Sequence, residues 1–174
     1  SAEKSRLHGL VLTHAHEDHL GAVAWLWPQL ECPVYCTPFA AQILALKLKE
    51  AGLDDQVPVK VMPVGSKFKL GPFGLEMVSV THSIPEPTAL LIETDQGRVL
   101  HSGDWKIDRT PVLGQGMDEK RLREIGAKVQ ELRARCGPDS IGLYVGTAAG
   151  FGLLHPIFAQ GFMTGVGSKS IYAS

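Results

Sequence analysis

His14, His16, Asp18 and His19 stand within six positions of one another, directly after the apolar run Leu10-Val11-Leu12. Imidazole nitrogens and carboxylate oxygens are ligands that suit zinc or manganese. The spacing adds geometry to that chemistry. His14 and His16 are two apart, so on an extended segment they point to the same side. Asp18 and His19 then open a helix that continues Leu20-Gly21-Ala22-Val23. A strand end feeding a helix start can aim four ligands at one small volume. The competing reading is a solvated polar loop. A lone histidine would favour that reading, but H-x-H-x-D-H is a cluster with ligand spacing.

Two further strand ends carry the same residue types. Thr81-His82-Ser83-Ile84-Pro85-Glu86 follows a strand predicted over residues 73–80. Gly103-Asp104-Trp105-Lys106 follows one predicted over 99–101. Alone, either His82 or Asp104 reads as an exposed loop residue. Beside the first motif they add a histidine and an aspartate to the same rim. Gly103 lets the backbone approach closely there.

These residues need elements to hold them. Residues 7–12 read as a buried strand. Residues 20–27 read as a short helix stopped by Pro28, and 33–36 as a second short strand. Thr37-Pro38 reads as an N-cap followed by proline in the first turn. The helix it opens runs to Glu50, with Lys47 and Lys49 in its last turn and Gly52 past its end. Strands are predicted over 57–62, 67–70, 73–80, 89–94 and 99–101, the last two joined by the hairpin signal Asp95-Gln96-Gly97. Residues 118–135 form an amphipathic helix with Leu122, Ile125, Val129 and Leu132 on one face. Strand-helix-strand-helix followed by a strand meander suits a mixed α/β sandwich better than a doubly wound sheet.

The chain has 174 residues, 44% of them hydrophobic and 20% charged, as expected of one soluble globular domain. A net charge of −1 excludes a global basic field that would draw it to nucleic acid or membrane. Cys32, Cys36 and Cys136 are an odd number. With no leader preceding them they indicate a reducing, cytoplasmic setting. Cys32 and Cys36 read as buried small hydrophobes rather than zinc ligands. Because the first strand already carries the ligand motif, the chain reads as a fragment.

The motifs H-x-H-x-D-H at 14–19, T-H-S at 81–83 and S-G-D at 102–104 resemble the metallo-β-lactamase superfamily. The wording His82-Ser83-Ile84-Pro85-Glu86 and Gly103-Asp104-Trp105-Lys106-Ile107-Asp108 resembles the ribonuclease J branch of its β-CASP nucleases. The likeness covers residues 6–126. It implies an α/β fold, the αβ/βα sandwich, here incomplete: leading strands and the β-CASP domain are not recognisable. It implies that His14, His16, His82 and Asp104 hold one metal, and that Asp18, His19 and Asp104 hold a second, Asp104 bridging. Zn2+ is the implied metal, with Mn2+ the alternative. The family adds a later histidine to the second metal, and Leu154-His155-Pro156 does not resemble that motif. The implied activity is hydrolysis of RNA phosphodiester bonds by metal-activated water, internally and from the 5′ end. Asp18 and Asp104 are its catalytic carboxylates, Asp18 also handling the proton. Ser83 would hold a phosphate or else cap its own loop. RNA is the implied partner, with no DNA and no membrane, and the full-length form is expected to be a homo-oligomer. Two other functions compete: a thioesterase- or lactamase-type hydrolase of small molecules, and an inactive metal-binding chain.

Residues 1–136 thus read as a partial metallo-β-lactamase domain and 137–174 as a divergent tail. That tail holds eight glycines and only two charged residues, Asp139 and Lys169. It shows no clean periodicity. One reading is translation out of frame, since codons for 138–151 can be chosen so that a one-nucleotide shift spells a strand and an Asp-Ser-Thr motif. The others are a membrane segment over 141–166 and a glycine-rich loop region.

Overall fold

Alternate residues of the first strands serve two different cores, and this sets the layers of the protein. Leu10, Leu12, Val34 and Cys36 join Leu20, Val23, Trp27, Ala40, Leu44 and Leu48 in one apolar cluster. Val11 and Tyr35, one register position away, pack instead with Leu70, Leu75, Met77 and Leu90. A strand that alternates in this way has helices on one face and a second sheet on the other. The computed structural model describes residues 6–146 and 155–173. The chain divides into two compact units, Ser1–Asp118 and Glu119–Ser174.

In the first unit, β1 (Leu10–Val11), β2 (Val34–Cys36) and β3 (Val59–Val61) form a parallel sheet in the order β1-β2-β3. The helices α1 (Glu17–Leu20), α2 (Val23–Leu30) and α3 (Pro38–Glu50) make the crossovers that parallel strands require. β4 (Lys67–Leu70), β5 (Phe73–Ser79), β6 (Thr88–Glu93) and β7 (Arg98–His101) form the antiparallel meander. Tyr35 stacks on Phe68 across the two sheets, ring centroids 5.3 Å apart. The mixed α/β architecture expected from the pattern is therefore present. The β6–β7 hairpin closes at Glu93 and Arg98, with the Thr94 amide donating to the Gly97 carbonyl.

Three local expectations are corrected. The strand expected over 7–12 is only Leu10–Val11, because among the described residues β1 lies at the sheet edge and pairs only with the short β2. The helix expected over 20–27 is two helices, and α2 runs through Pro28 to Leu30. An interior proline is costly, but Trp27 is buried and its Nε1 donates to the Cys32 carbonyl at 2.8 Å, holding the last turn in place. Thr37 occupies the N-cap position, yet its hydroxyl makes no cap bond. The Phe39 amide donates instead to the Glu86 carboxylate at 2.7 Å. The other end of α3 is as expected. Gly52 (φ +66°) ends it, and amides of Gly52 and Leu53 donate back to the carbonyls of Lys49 and Leu48. Cys32 and Cys36 are buried.

The second unit contains α4 (Glu119–Cys136), β8 (Leu143–Val145), α5 (His155–Val166) and β9 (Ile171–Ala173), with β8 and β9 paired in parallel. Among the described residues of α4 none is buried, so its apolar face is covered only in part. Ion pairs such as Arg123–Glu119 at 2.7 Å, one turn apart, support it. The absence of periodicity after residue 136 does not mean absence of structure there. A short strand-helix-strand unit forms from apolar and small residues whose pattern carries no polar face to read. Residues 147–154, which belong to the stretch read as out of frame or as a membrane segment, lie outside the described residues. Among the described residues no helix is long and apolar enough to cross a membrane.

Candidate metal centre

Thr13 ends the run from β1 and turns the chain toward α1. Its carbonyl accepts two hydrogen bonds from Thr88, from the amide at 2.9 Å and from the hydroxyl at 2.9 Å. This fixes the start of β6 against the first ligand motif. His14 follows, 1% exposed. Thr13 Oγ1 lies 3.1 Å from His14 Nδ1, which leaves Nε2 as the nitrogen free for a ligand bond. α1 then presents Asp18 and His19 in its first and last turn. The salt bridge from Glu17 to Lys47, 2.7 Å, ties α1 to α3.

His82 arrives from the end of β5. Its loop is held at both sides: Ile84 packs on the helical core and Glu86 caps α3. Asp104 arrives from the end of β7 after Gly103, whose φ is +58°. A Cβ there would stand 2.9 Å from the Thr88 carbonyl oxygen, so only glycine fits this approach.

The result is two overlapping groups of ligand atoms. One atom each from His14, His16 and His82 lies within 4.8 Å of the others, and so does one each from His14, His19 and Asp104. Asp104 Oδ2 is 3.4 Å from His19 Nε2 and 3.9 Å from His82 Nε2. Asp18 belongs to neither group. Its side chain is 77% exposed, and its Oδ2 is 3.6 Å from His19 Nε2. Ser83 Oγ is 3.5 Å from His16 Nε2, at the rim.

The electrostatics favour a cation. Burial, and then the neighbouring His19 and His16, push the His14 pKa from the usual 6.5 down to about 4. His82 is lowered too, by burial first and then by His16. Both rings are therefore neutral at neutral pH, the form that can donate a lone pair to a metal. Buried His14 Nε2 and His82 Nδ1 have no hydrogen-bond partner among the described residues. An unpaired buried polar atom costs about 1–3 kcal/mol, a cost that a metal bond at His14 Nε2 would remove. Three or four imidazoles with one carboxylate fit zinc or manganese. These residues fit a divalent metal ion.

Sequence reasoning found the ligand candidates but missed what holds them: Thr13, Thr81, Thr88 and Glu86. One signal was available. The dipeptide Thr-His occurs at both histidine-bearing strand ends, 13–14 and 81–82.

The family described as a beta-lactamase superfamily domain matches residues 1–123. The chain is 47% identical over 124 residues to a ribonuclease J of Sinorhizobium meliloti, covering 71% of this chain and 22% of that one. It is 38% identical over 126 residues to a ribonuclease J of Helicobacter pylori, covering 72% and 18%. The chain thus spans about a fifth of the length of these curated relatives. Among solved structures it is similar to a metallo hydrolase from the archaeon Ignicoccus hospitalis, with 23% identity, a TM-score of 0.44, and coverage of 58% of this chain and 43% of that one.

Proposed function

Because the chain belongs to the metallo-β-lactamase superfamily, we propose that it serves metal-dependent hydrolysis of RNA phosphodiester bonds, by internal cleavage and from the 5′ end. The observation that carries this reading is the convergence of His14, His16, His19, His82 and Asp104 on one rim. The likeness to ribonuclease J relatives supports RNA as the substrate. In this reading His14, His16, His82 and Asp104 hold one cation, and Asp18, His19 and Asp104 a second, Zn2+ before Mn2+. A divalent cation supplies Lewis acidity there, lowering the pKa of water and offsetting charge on phosphoryl oxygens. The chain's own residues do the rest. His14 and His82, kept neutral by burial, offer lone pairs without first losing a proton. The exposed Asp18 carboxylate takes up the proton as water attacks phosphorus and the P–O bond to the leaving sugar oxygen breaks, and that oxygen regains a proton from Asp18 or solvent. The Ser83 hydroxyl, beside His16, donates to a phosphate oxygen.

The same reading takes residues 1–136 as the metallo-β-lactamase part and 137–174 as a divergent part. It also carries a cytoplasmic setting, homo-oligomeric assembly of the full-length form, and no DNA or membrane partner.

The test is incubation of the purified chain with labelled single-stranded RNA, a thioester and nitrocefin, with Zn2+ or Mn2+ and then with chelator. RNA cleavage that chelation and Asp104→Ala both abolish is expected. Thioester or nitrocefin turnover without RNA cleavage overturns the proposal in favour of a small-molecule hydrolase. A chain that binds metal and turns over none of the three is a metal-binding protein only.

A further inference from the structure

Thr81 is 2% exposed and immediately precedes His82. Its carbonyl accepts from the Lys106 amide at 2.7 Å. Its hydroxyl donates to the Lys106 carbonyl at 2.5 Å and accepts from the Asp108 amide at 3.2 Å. One side chain and its own carbonyl therefore bind, by three hydrogen bonds, the loop that leaves Asp104. On one side of this junction stands His82, on the other Asp104, and their facing atoms are 3.9 Å apart. Asp104 needs such support. Its side chain is 47% exposed, so the surrounding core does not fix its direction. A buried hydroxyl without partners would cost about 1–3 kcal/mol, whereas here both of its capacities are used.

We propose that Thr81 is a positioning residue whose hydroxyl sets the Asp104 carboxylate against His82 and His19 and thereby sets metal affinity. The inference rests on the metal reading above. It differs from a general packing role in one respect: Thr81 acts through Asp104, so its effect vanishes once Asp104 is gone.

The experiment is calorimetric titration of the full chain with Zn2+, for the wild type, Thr81→Val, Thr81→Ala, Thr81→Ser, Asp104→Ala and the double variant Thr81→Val/Asp104→Ala, with thermal melts alongside. Groups that orient a metal ligand contribute about 10–100-fold in affinity. Thr81→Val is expected to weaken Zn2+ binding about 10-fold, and Thr81→Ala, which removes the hydroxyl without a branched replacement, to do the same. Thr81→Ser keeps the hydroxyl and stays within about threefold of wild type, still below that range. Asp104→Ala weakens binding more, and the double variant binds as Asp104→Ala does, the non-additivity of two residues acting as a unit. Unchanged affinity in Thr81→Val and Thr81→Ala overturns the inference. So does a serine variant as weak as valine, or a double variant whose losses multiply. A wild-type chain that takes up no Zn2+ overturns the metal reading and this inference with it, which separates the two failures.

Discussion

His14 and Asp18 lie four residues apart, yet one is 1% exposed and the other exposes 77% of its side chain. The histidine side of the site grows out of the strand ends. His14 follows β1, His82 follows β5, and each is preceded by a threonine hydrogen-bonded to a neighbouring segment. The carboxylate side is set on a short helix and a loop, where Asp18 and Asp104 keep much of their hydration. The difference separates two jobs. Buried neutral imidazoles are held in advance, and the unpaired Nε2 of His14 is one that a cation would satisfy. The carboxylates keep contact with water, Asp104 at 47% and Asp18 at 77% side-chain exposure, and would complete the ligand set from the solvent side.

The largest effect expected from this contrast is on the buried side. His14→Ala removes a residue common to both ligand groups and should weaken Zn2+ binding by more than the ~100-fold upper range of an orienting partner. Equilibrium dialysis measures it, and a loss under tenfold would erase the distinction between the two sides. Next is a pH effect on the metal-free chain. His14 has a folded pKa of about 4 against the usual 6.5. The unfolded chain therefore binds more protons in that interval, and stability falls as pH drops from 6.5 toward 4. Urea unfolding midpoints across this range should decline, and decline less in His14→Gln. The smallest effect is on the exposed side. Asp18→Asn should change the affinity for the first Zn2+ by less than about fivefold, as exposed charges near one another contribute about 1 kcal/mol or less. A loss equal to that of His14→Ala would show the two sides to be equivalent.

Much of the first unit was legible because short-range patterns determine it. The alternation of residues 73–79, the Asp95-Gln96-Gly97 hairpin and the Gly52 stop each correspond to a local hydrogen-bonding solution. The failures are equally physical. Pro28 ends a helix by local rules, but the buried Trp27 and its bond to Cys32 carry α2 onward. Thr37 has the sequence of a cap, but the Glu86 carboxylate, 47 residues from Phe39, takes the bond from the Phe39 amide. The segment 155–173 has no polar alternation, so the pairing of β9 with β8 could not be read from it.

By itself the sequence determined which residues can bind metal, since histidine and aspartate spacing at a strand end is a local property. It also determined that these ligands sit where extended segments stop. Only the tertiary structure decided which ligands meet. His14 joins His16 and His82 in one group and His19 and Asp104 in another, while Asp18 remains outside both. It also decided which side chains hold them, because Thr81, Thr88 and Glu86 act across separations of 25, 75 and 47 residues. Hydrogen bonds of that span depend on how two sheets stack and where loops cross, which no local spacing records.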